Sequence, residues 1–253
     1  MCDEWREPAL LVTAEHGGNH VPGPYREIFA PHGELLRSHR GWDPGSLHLA
    51  RRLARILDGW LIEATVTRLL VDLNRSRTNP RVFSQITRPL PPAERALLLH
   101  GYHRPHWDTV ESSVAGEIGR GRRVLHLSIH SFTPSLNGAT RSQDLALLYD
   151  PRSAVERCLA GAWIAALRRA EPALRLRRNH PYRGRADGVT TALRKRFGAD
   201  VYAGIEVEVN QRHVREDGRF PAWIPTLLAD TLARIPDPSA AWRSSGRSQR
   251  RSA

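Results

Sequence analysis

The sequence predicts an α/β fold in which helices cover a mainly parallel sheet. Apolar, β-prone segments alternate with amphipathic helical segments along most of the 253 residues, and such alternation is typical of βαβ units. Several of the apolar segments end in a histidine or a carboxylate, which is where open α/β sheets form binding crevices. The length suits one large domain, and no composition break marks a linker. We therefore expect a single domain over residues 1–242.

Seven apolar segments are predicted to be strands: residues 9–13, 60–64, 68–73, 123–130, 144–149, 174–178 and 201–209. The alternation in the fourth segment places His126, Ser128 and His130 on one face of the sheet. The same argument places Glu206 and Glu208 together on one face of the last segment.

Helical spacing of apolar residues predicts helices over residues 25–29, 47–57, 93–119, 155–169, 189–197 and 221–235. Ser46 is the expected N-cap of the second helix. Pro105 is expected to kink the third. Residues 74–92 are rich in Arg, Asn, Ser and Pro, so they form a long loop of the kind that is often functional.

The net charge of +12 raises the question of nucleic-acid binding. The charge is scattered arginine, with Lys195 the sole lysine, and part of it lies in a basic tail, residues 243–253, that we expect to be disordered. The sequence contains no zinc finger or aromatic RNA-binding motif, so nucleic acid is not an expected partner. Cys2 and Cys158 lie far apart, and the N-terminus lacks the features of a signal or membrane segment. We expect a soluble, cytoplasmic protein.

The polar residues at the strand ends form a candidate site. They are Glu15, His16, Asp72, His130 and Glu208. Two histidines and a carboxylate are the ligand set of a catalytic zinc ion, and a further carboxylate can shuttle a proton to a leaving nitrogen. Glu208 suits that shuttle; the alternative is that Glu206 and Glu208 pair with arginines.

Further residues near these strand ends suit metal or substrate binding. Arg75 and Arg141 follow putative strand ends, where a guanidinium group can hold a substrate carboxylate bidentately. Gly17 and Gly18 are expected to leave room for a metal and a substrate. His100, His103 and His106 share one helical face and are an alternative metal site.

Seven motifs occur in one order between residues 10 and 212: EHGGNHVP, WDPG, DLNRS, HSFTP, an arginine before LALLYD, NHPYRG and IEVEVNQ. In this order they resemble the N-formylglutamate amidohydrolase family. The resemblance implies a three-layer α/β/α domain on a mixed sheet, similar to the phosphorylase/hydrolase-like fold of zinc carboxypeptidases and aspartoacylases. It also implies metal-dependent hydrolysis of N-formyl-L-glutamate to formate and glutamate.

The resemblance implies a metal site. His16 and His130 match histidines of the family's first loop and HSF loop, and we expect them to bind Zn²⁺ or another divalent metal. The third ligand is Asp43, which matches the aspartate before the first long helix, or else Glu15 or His20. Alternatively, Asp43 orients a ligating histidine.

The other matched positions imply catalytic and substrate-binding residues. Glu208 matches the acidic residue of the last strand and is the expected general base and acid. Asn74, Arg75, Arg141 and Tyr182 lie in the matched motifs and are expected to bind the substrate.

These observations predict a zinc-dependent hydrolase that cleaves the amide of a small, anionic N-acyl amino acid such as N-formylglutamate. The EHGG form of the first loop differs from the PHSG form of the deformylase-like branch, so other N-acyl amino acids are alternative substrates. Two other functions remain open. One is a carboxypeptidase-like peptidase or amidase acting on modified or cell-wall peptides, and the other is a non-catalytic basic binding protein on the same fold.

Overall fold

The computed structural model describes residues 8–235 and Trp242. Its strands are β1 (Ala9–Ala14), β2 (Trp60–Glu63), β3 (Val124–Phe132), β4 (Ser135–Leu136), β5 (Ala139–Thr140), β6 (Leu145–Leu148), β7 (Leu176–Arg178) and β8 (Tyr202–Asn210). Its helices are α1 (Arg26–Phe29), α2 (Gly33–Arg37), α3 (Ser46–Ile56), α4 (Pro92–Leu98), α5 (Arg104–Gly119), α6 (Ala154–Ala170), α7 (Val189–Phe197) and α8 (Trp223–Ala233).

Six of the strands form one mixed sheet in the order β2-β1-β3-β8-β6-β7. The four neighbouring strands β2, β1, β3 and β8 are parallel to one another. Strand β6 is antiparallel to β8 and parallel to β7. The register places Thr13 beside Ser128, and His130 beside Glu208. The carboxyl ends of β1, β3 and β8 therefore meet at one edge of the sheet, as the fold class predicts.

Helices cover both faces of this sheet. On one face, α3, α6 and α8 bury Leu49, Trp163 and Leu228 against β1, β3, β6 and β8. On the other, α5 and α7 bury Val110 and Leu193. Burying an apolar side chain of this size stabilises the folded state by about 1.5–3 kcal/mol relative to leaving it exposed. The apolar side chains between the three layers form the core. The predicted α/β/α architecture is confirmed.

Alternation along β3 turns a row of polar side chains towards the α5 and α7 layer. Leu125, Leu127 and Ile129 enter the larger core with α3, α6 and α8, so His126, Ser128 and His130 point to the opposite face. All three polar residues are buried, which means that their polar atoms need partners inside the protein.

Residues 68–73 were predicted to form a strand, and this prediction is wrong. They form turns instead. Leu69 and Leu70 are buried in an apolar cluster outside the main core, and the Asp72 N–H donates to the Val82 carbonyl at 2.8 Å. Because local loop groups satisfy this backbone, the segment does not need a place in the sheet.

Two helix details also differ from the predictions. Ser46 is the first residue of α3, and the N-cap is Gly45, whose φ of 83° suits glycine. The interruption of the long helical stretch is a π-helical turn, Leu99–His103. Pro105 lies just after it, near the start of α5, and a kink at Pro105 stays a prediction.

Other predictions fall partly beyond the described residues. The basic tail over residues 243–253 and Cys2 lie outside them, and Cys158 is an exposed free thiol. Within the described ranges, no helix has the length and apolar character needed to span a membrane.

Candidate metal centre and substrate cavity

His16, Asp43 and His130 lie together at the carboxyl edge of the sheet. Asp43 Oδ2 is 3.6 Å from Nδ1 of His16 and 2.9 Å from Nδ1 of His130, and the two imidazole rings are 5.1 Å apart. All three side chains are buried, and their ligand atoms lie within 4.8 Å of one another. The structure thus brings together the two predicted histidines and the first of the candidate third ligands.

The chain places Asp43 through a tight turn before α3. The Asp43 N–H donates to the His16 carbonyl at 2.9 Å, which ties this loop to the end of β1. The Ser46 hydroxyl donates back to the Asp43 carbonyl at 2.8 Å. Between them, Gly45 adopts the left-handed conformation that closes the turn.

The other two candidate third ligands do not reach this group. Glu15 is buried and bonded to Thr13 and Ser128, whereas His20 is exposed. Gly17 and Gly18 do not leave room for a ligand, contrary to expectation. A Cβ on Gly18 would lie 2.4 Å from the Thr65 carbonyl oxygen, so glycine is needed for close backbone packing.

The alternative metal site of His100, His103 and His106 is not formed within the described residues. Nε2 of His103 donates to the Arg75 carbonyl at 2.7 Å, and His100 is exposed while His106 is buried. Within the described residues, His16, Asp43 and His130 are the group of three whose ligand atoms converge.

Asp72 and Arg68 form hydrogen bonds and ion pairs with His16 and Asp43. Nε2 of His16 donates to Asp72 Oδ1 at 2.7 Å, and Arg68 bridges Asp43 at 3.2 Å and Asp72 at 3.0 Å. Burial raises the pKa of both carboxyl groups, but His16 and Arg68 outweigh it and hold both pKa values well below their usual range. Both carboxylates are therefore ionised.

The donor set fits a zinc ion. Nδ1 of His16 is buried and has no hydrogen-bond partner within the described residues, while Nε2 of the same ring is held by Asp72. A buried, unpartnered nitrogen that faces a carboxylate is what a metal ligand presents when its other nitrogen is fixed. Two imidazoles and one carboxylate leave a fourth position open, as in catalytic zinc sites.

Charge also accumulates on His130. Burial opposes protonation of this ring, but the hydrogen bond and charge of Asp43, together with Glu15, outweigh burial and raise the pKa of His130 to about 10. The proton on Nδ1 stands where a cation would bind, so metal binding at this site should release a proton.

Glu208 lies beside His130 on the neighbouring strand β8. Burial and the charge of Asp43 raise the pKa of Glu208 to about 8, while His130 opposes the rise. Its Oε2 is buried without a hydrogen-bond partner in the described part of the chain, and Glu208 does not pair with an arginine there. A carboxyl group with a pKa near neutrality can both accept and return a proton.

A cavity of about 310 Å³ opens beside this group, lined by His16, Asp43, His130 and Glu208. This volume lies at the low end of the ~300–1,000 Å³ range of small-molecule pockets. The other charged or polar side chains in its wall include His39, Arg68, Asn74, Arg75, Tyr182, Arg183, Asp187 and Glu206.

The predicted substrate-binding residues lie in or next to this wall. Asn74, Arg75 and Tyr182 line the cavity. Arg141 does not, but its Nη1 donates to the Tyr182 hydroxyl at 3.1 Å and its guanidinium stacks on that ring. Arg141 therefore lies at the rim, and Arg75 is partly engaged because its Nη1 donates to the Asp187 carbonyl at 3.0 Å.

Arg68 and Asp187 also shape the site, and the sequence analysis gives neither of them a role. Arg68 lies in the segment that the sequence predicts to be a strand, and its ion pair with Asp72 forms because the chain turns there. Asp187 accepts from the Ser76 N–H at 2.9 Å and from Asn79 at 2.6 Å, and so holds the loop that carries Arg75. No sequence pattern marks that long-range contact.

Known proteins resemble this chain in sequence and fold. The sequence model of the N-formylglutamate amidohydrolase family matches residues 8–214. No curated protein matches the chain. Among solved structures, a gene product of Agrobacterium tumefaciens has 28% sequence identity and a TM-score of 0.77, with 90% of each chain covered. An N-formylglutamate amidohydrolase from Ralstonia eutropha is similar in fold, with 19% sequence identity and a TM-score of 0.64. That match covers 98% of this chain and 96% of the Ralstonia chain.

Proposed function

Because this chain belongs to the N-formylglutamate amidohydrolase family, whose members are hydrolases of amide bonds, we propose that it is a zinc-dependent amidohydrolase. Its substrate in this proposal is a small, anionic N-acyl amino acid of the N-formylglutamate type. The observation that carries the proposal is the buried group of His16, Asp43 and His130 at the wall of the cavity.

His16, Asp43 and His130 would hold the metal, and the first two are already oriented by Asp72 and Arg68. When bound, zinc supplies Lewis-acid chemistry: it polarises the amide carbonyl and makes water more acidic. The burial of all three side chains keeps solvent from competing for their ligand atoms.

Glu208 performs the proton transfer in this proposal. Water attacks the amide carbon, and Glu208 takes a proton from that water. As the carbon–nitrogen bond breaks, Glu208 returns the proton to the leaving nitrogen, which yields a carboxylic acid and a free amino acid. The pKa of about 8 and the unpartnered Oε2 of Glu208 support this role.

Arginines would hold the carboxylate groups of the substrate. Arg75 lines the cavity and retains N–H groups beyond the one given to Asp187, and Arg141 lies at the rim against Tyr182. A guanidinium group pairs with a carboxylate through two parallel hydrogen bonds. The small cavity favours an amino-acid-sized substrate over a peptide.

Metal removal tests this proposal. The purified protein is treated with EDTA, and hydrolysis of N-formylglutamate, other N-acyl amino acids and short peptides is measured before and after zinc is restored. We expect N-acyl amino acid hydrolysis to disappear without metal and to return with zinc. His16→Ala should abolish zinc binding, whereas the matched variant of the exposed histidine in the same loop, His20→Ala, should retain it. Undiminished activity of the metal-free protein would overturn the mechanism, and a preference for peptides would overturn the substrate class.

A further inference from the structure

Glu15 is a buried carboxylate behind His130 that the proposed hydrolysis does not use. Its side chain is 0% exposed. Within the described residues, the ion-pair partner of Glu15 is His130, whose Nε2 lies 3.5 Å from Glu15 Oε2, and no arginine or lysine there pairs with it. Burying a carboxylate without a cation costs several kcal/mol, so its position calls for a nearby source of positive charge.

Two hydroxyl groups donate hydrogen bonds to Glu15. Thr13 Oγ1 lies 2.5 Å from Glu15 Oε1, and Ser128 Oγ lies 2.9 Å from Oε2. An ionised carboxylate only accepts hydrogen bonds, so each hydroxyl gives Glu15 its single hydrogen. Ser128 Oγ is also 2.9 Å from Nε2 of His130. Since Ser128 has no second hydrogen, it accepts one from Nε2–H.

With Nε2–H held by Ser128, Nδ1 is the nitrogen of His130 that can release its proton and bind a metal. With the hydrogen on Nε2, the ring presents Nδ1 to Asp43, 2.9 Å away. His16 has the same arrangement, because its Nε2 is held by Asp72 and its Nδ1 faces Asp43. Asn74 Nδ2 lies 3.1 Å from Nε2 of His130; because both atoms carry hydrogens in this assignment, the contact is not a hydrogen bond.

The same network extends from Glu15 in a second direction, away from His130. Thr13 Oγ1 accepts from Nε2–H of His126 at 2.8 Å, and Nδ1 of His126 accepts from the Tyr202 hydroxyl at 2.7 Å. This branch shares Glu15 but does not touch the metal group, so its residues serve as matched controls.

We propose that Glu15 is a positioning residue that acts through Ser128 to hold Nε2–H of His130 and so to present Nδ1 to the metal. The inference rests on the proposed function, because it assigns Glu15 to the same metal site. Negative charge behind the ring strengthens Nδ1 as a metal ligand, and the bound metal would replace the positive charge that His130 loses with its Nδ1 proton. Asp72 does directly for His16 what Glu15 does through a serine for His130.

Zinc affinity tests this relay. Affinity is measured by competition with a chromophoric chelator for the wild type, Ser128→Ala, Glu15→Gln, the double variant and Tyr202→Phe. Losing such a partner typically weakens metal binding by about 10–100-fold, and we expect this of both single variants. Because the two residues act in series, the double variant should be no weaker than the weaker single variant. Tyr202→Phe should stay within about twofold of the wild type, since its hydroxyl lies on the other branch.

The outcomes separate this inference from the proposed function. A wild-type protein that binds zinc, with Ser128→Ala equal to it in affinity, would overturn the relay and leave the hydrolase proposal intact. Additive losses in the double variant, or an equal loss in Tyr202→Phe, would also overturn the relay, because they indicate general loosening of the core. A wild type without zinc affinity would overturn both. If Glu15→Gln fails to fold, Ser128→Ala and Tyr202→Phe decide the matter.

Discussion

Replacing His126 with glutamine removes a titratable ring from the interior of the sheet. The side chain is fully buried on β3 and bridges Thr13 and Tyr202 through both ring nitrogens. Burial, and the nearby charges of Arg194, His106 and His130, lower the pKa of His126 from 6.5 to about 4, although Glu15 acts in the opposite direction. The ring is therefore neutral in the folded protein.

The sign and size of its contribution follow from this shift. Between pH 6.5 and about 4, the unfolded chain protonates His126 and the folded protein does not. The contribution of His126 to the free energy of unfolding is fully present above pH 6.5 and falls as the pH decreases. At 1.36 kcal/mol per pKa unit, the loss reaches about 3 kcal/mol near pH 4. That is a large part of the 5–15 kcal/mol that stabilises a typical domain.

Urea unfolding of the wild type and His126→Gln at a series of pH values between about 4 and 7.5 measures this effect. Both proteins lose stability in acid through their other groups. The free energy of unfolding of the wild type minus that of His126→Gln should fall by about 3 kcal/mol between neutral pH and pH 4. Leu127→Ala, at the adjacent buried position, is the control, and its difference from the wild type should not depend on pH. A constant difference between wild type and His126→Gln over this pH range would show that the pKa of His126 is not lowered in the folded protein.

Three further substitutions test the roles of Glu208, Arg141 and Gly18. Glu208→Gln should lower kcat for amide hydrolysis by at least about 100-fold with unchanged zinc content by elemental analysis, whereas loss of zinc would make Glu208 a ligand. Arg141→Ala should raise KM about 10-fold with little change in kcat, because it lies at the cavity rim; a fall in kcat alone in steady-state kinetics would contradict this. Gly18→Ala should cost about 1–3 kcal/mol in urea unfolding, because its Cβ would lie 2.4 Å from the Thr65 oxygen. Gly119→Ala has open space at the end of α5, and a similar loss in this control would count against the packing argument.

The sequence predicted most of the fold because local pattern and core packing agree in most segments. The apolar alternation of residues 123–130 matches β3, which is buried on both faces, and the helical spacing of residues 47–57 matches α3. Residues 68–73 have an equally good strand pattern, but their backbone finds partners in a loop. A single segment does not reveal whether a neighbouring strand is available, so pattern alone could not decide this case.

The sequence predicted the site residues that lie at strand ends or in family motifs. It did not predict contacts that depend on how neighbouring strands are aligned. The positions of His16 and His130 follow from the edge of a parallel sheet, and the family resemblance suggested Asp43. The contacts of Ser128 with Glu15 require the alignment of β1 with β3, which fixes side chains that are 113 residues apart. The sequence carries no local signal for that alignment, and Glu15 accordingly had no definite role before the structure.

Anomalous X-ray scattering at the zinc edge, from crystals grown with zinc, would show whether His16, Asp43 and His130 bind the metal. We predict one strong peak beside β1 and β3, about 2.0–2.2 Å from Nδ1 of His16, Nδ1 of His130 and a carboxylate oxygen of Asp43. A strong peak at another group of residues, or bonds to Nε2 of either histidine, would contradict it.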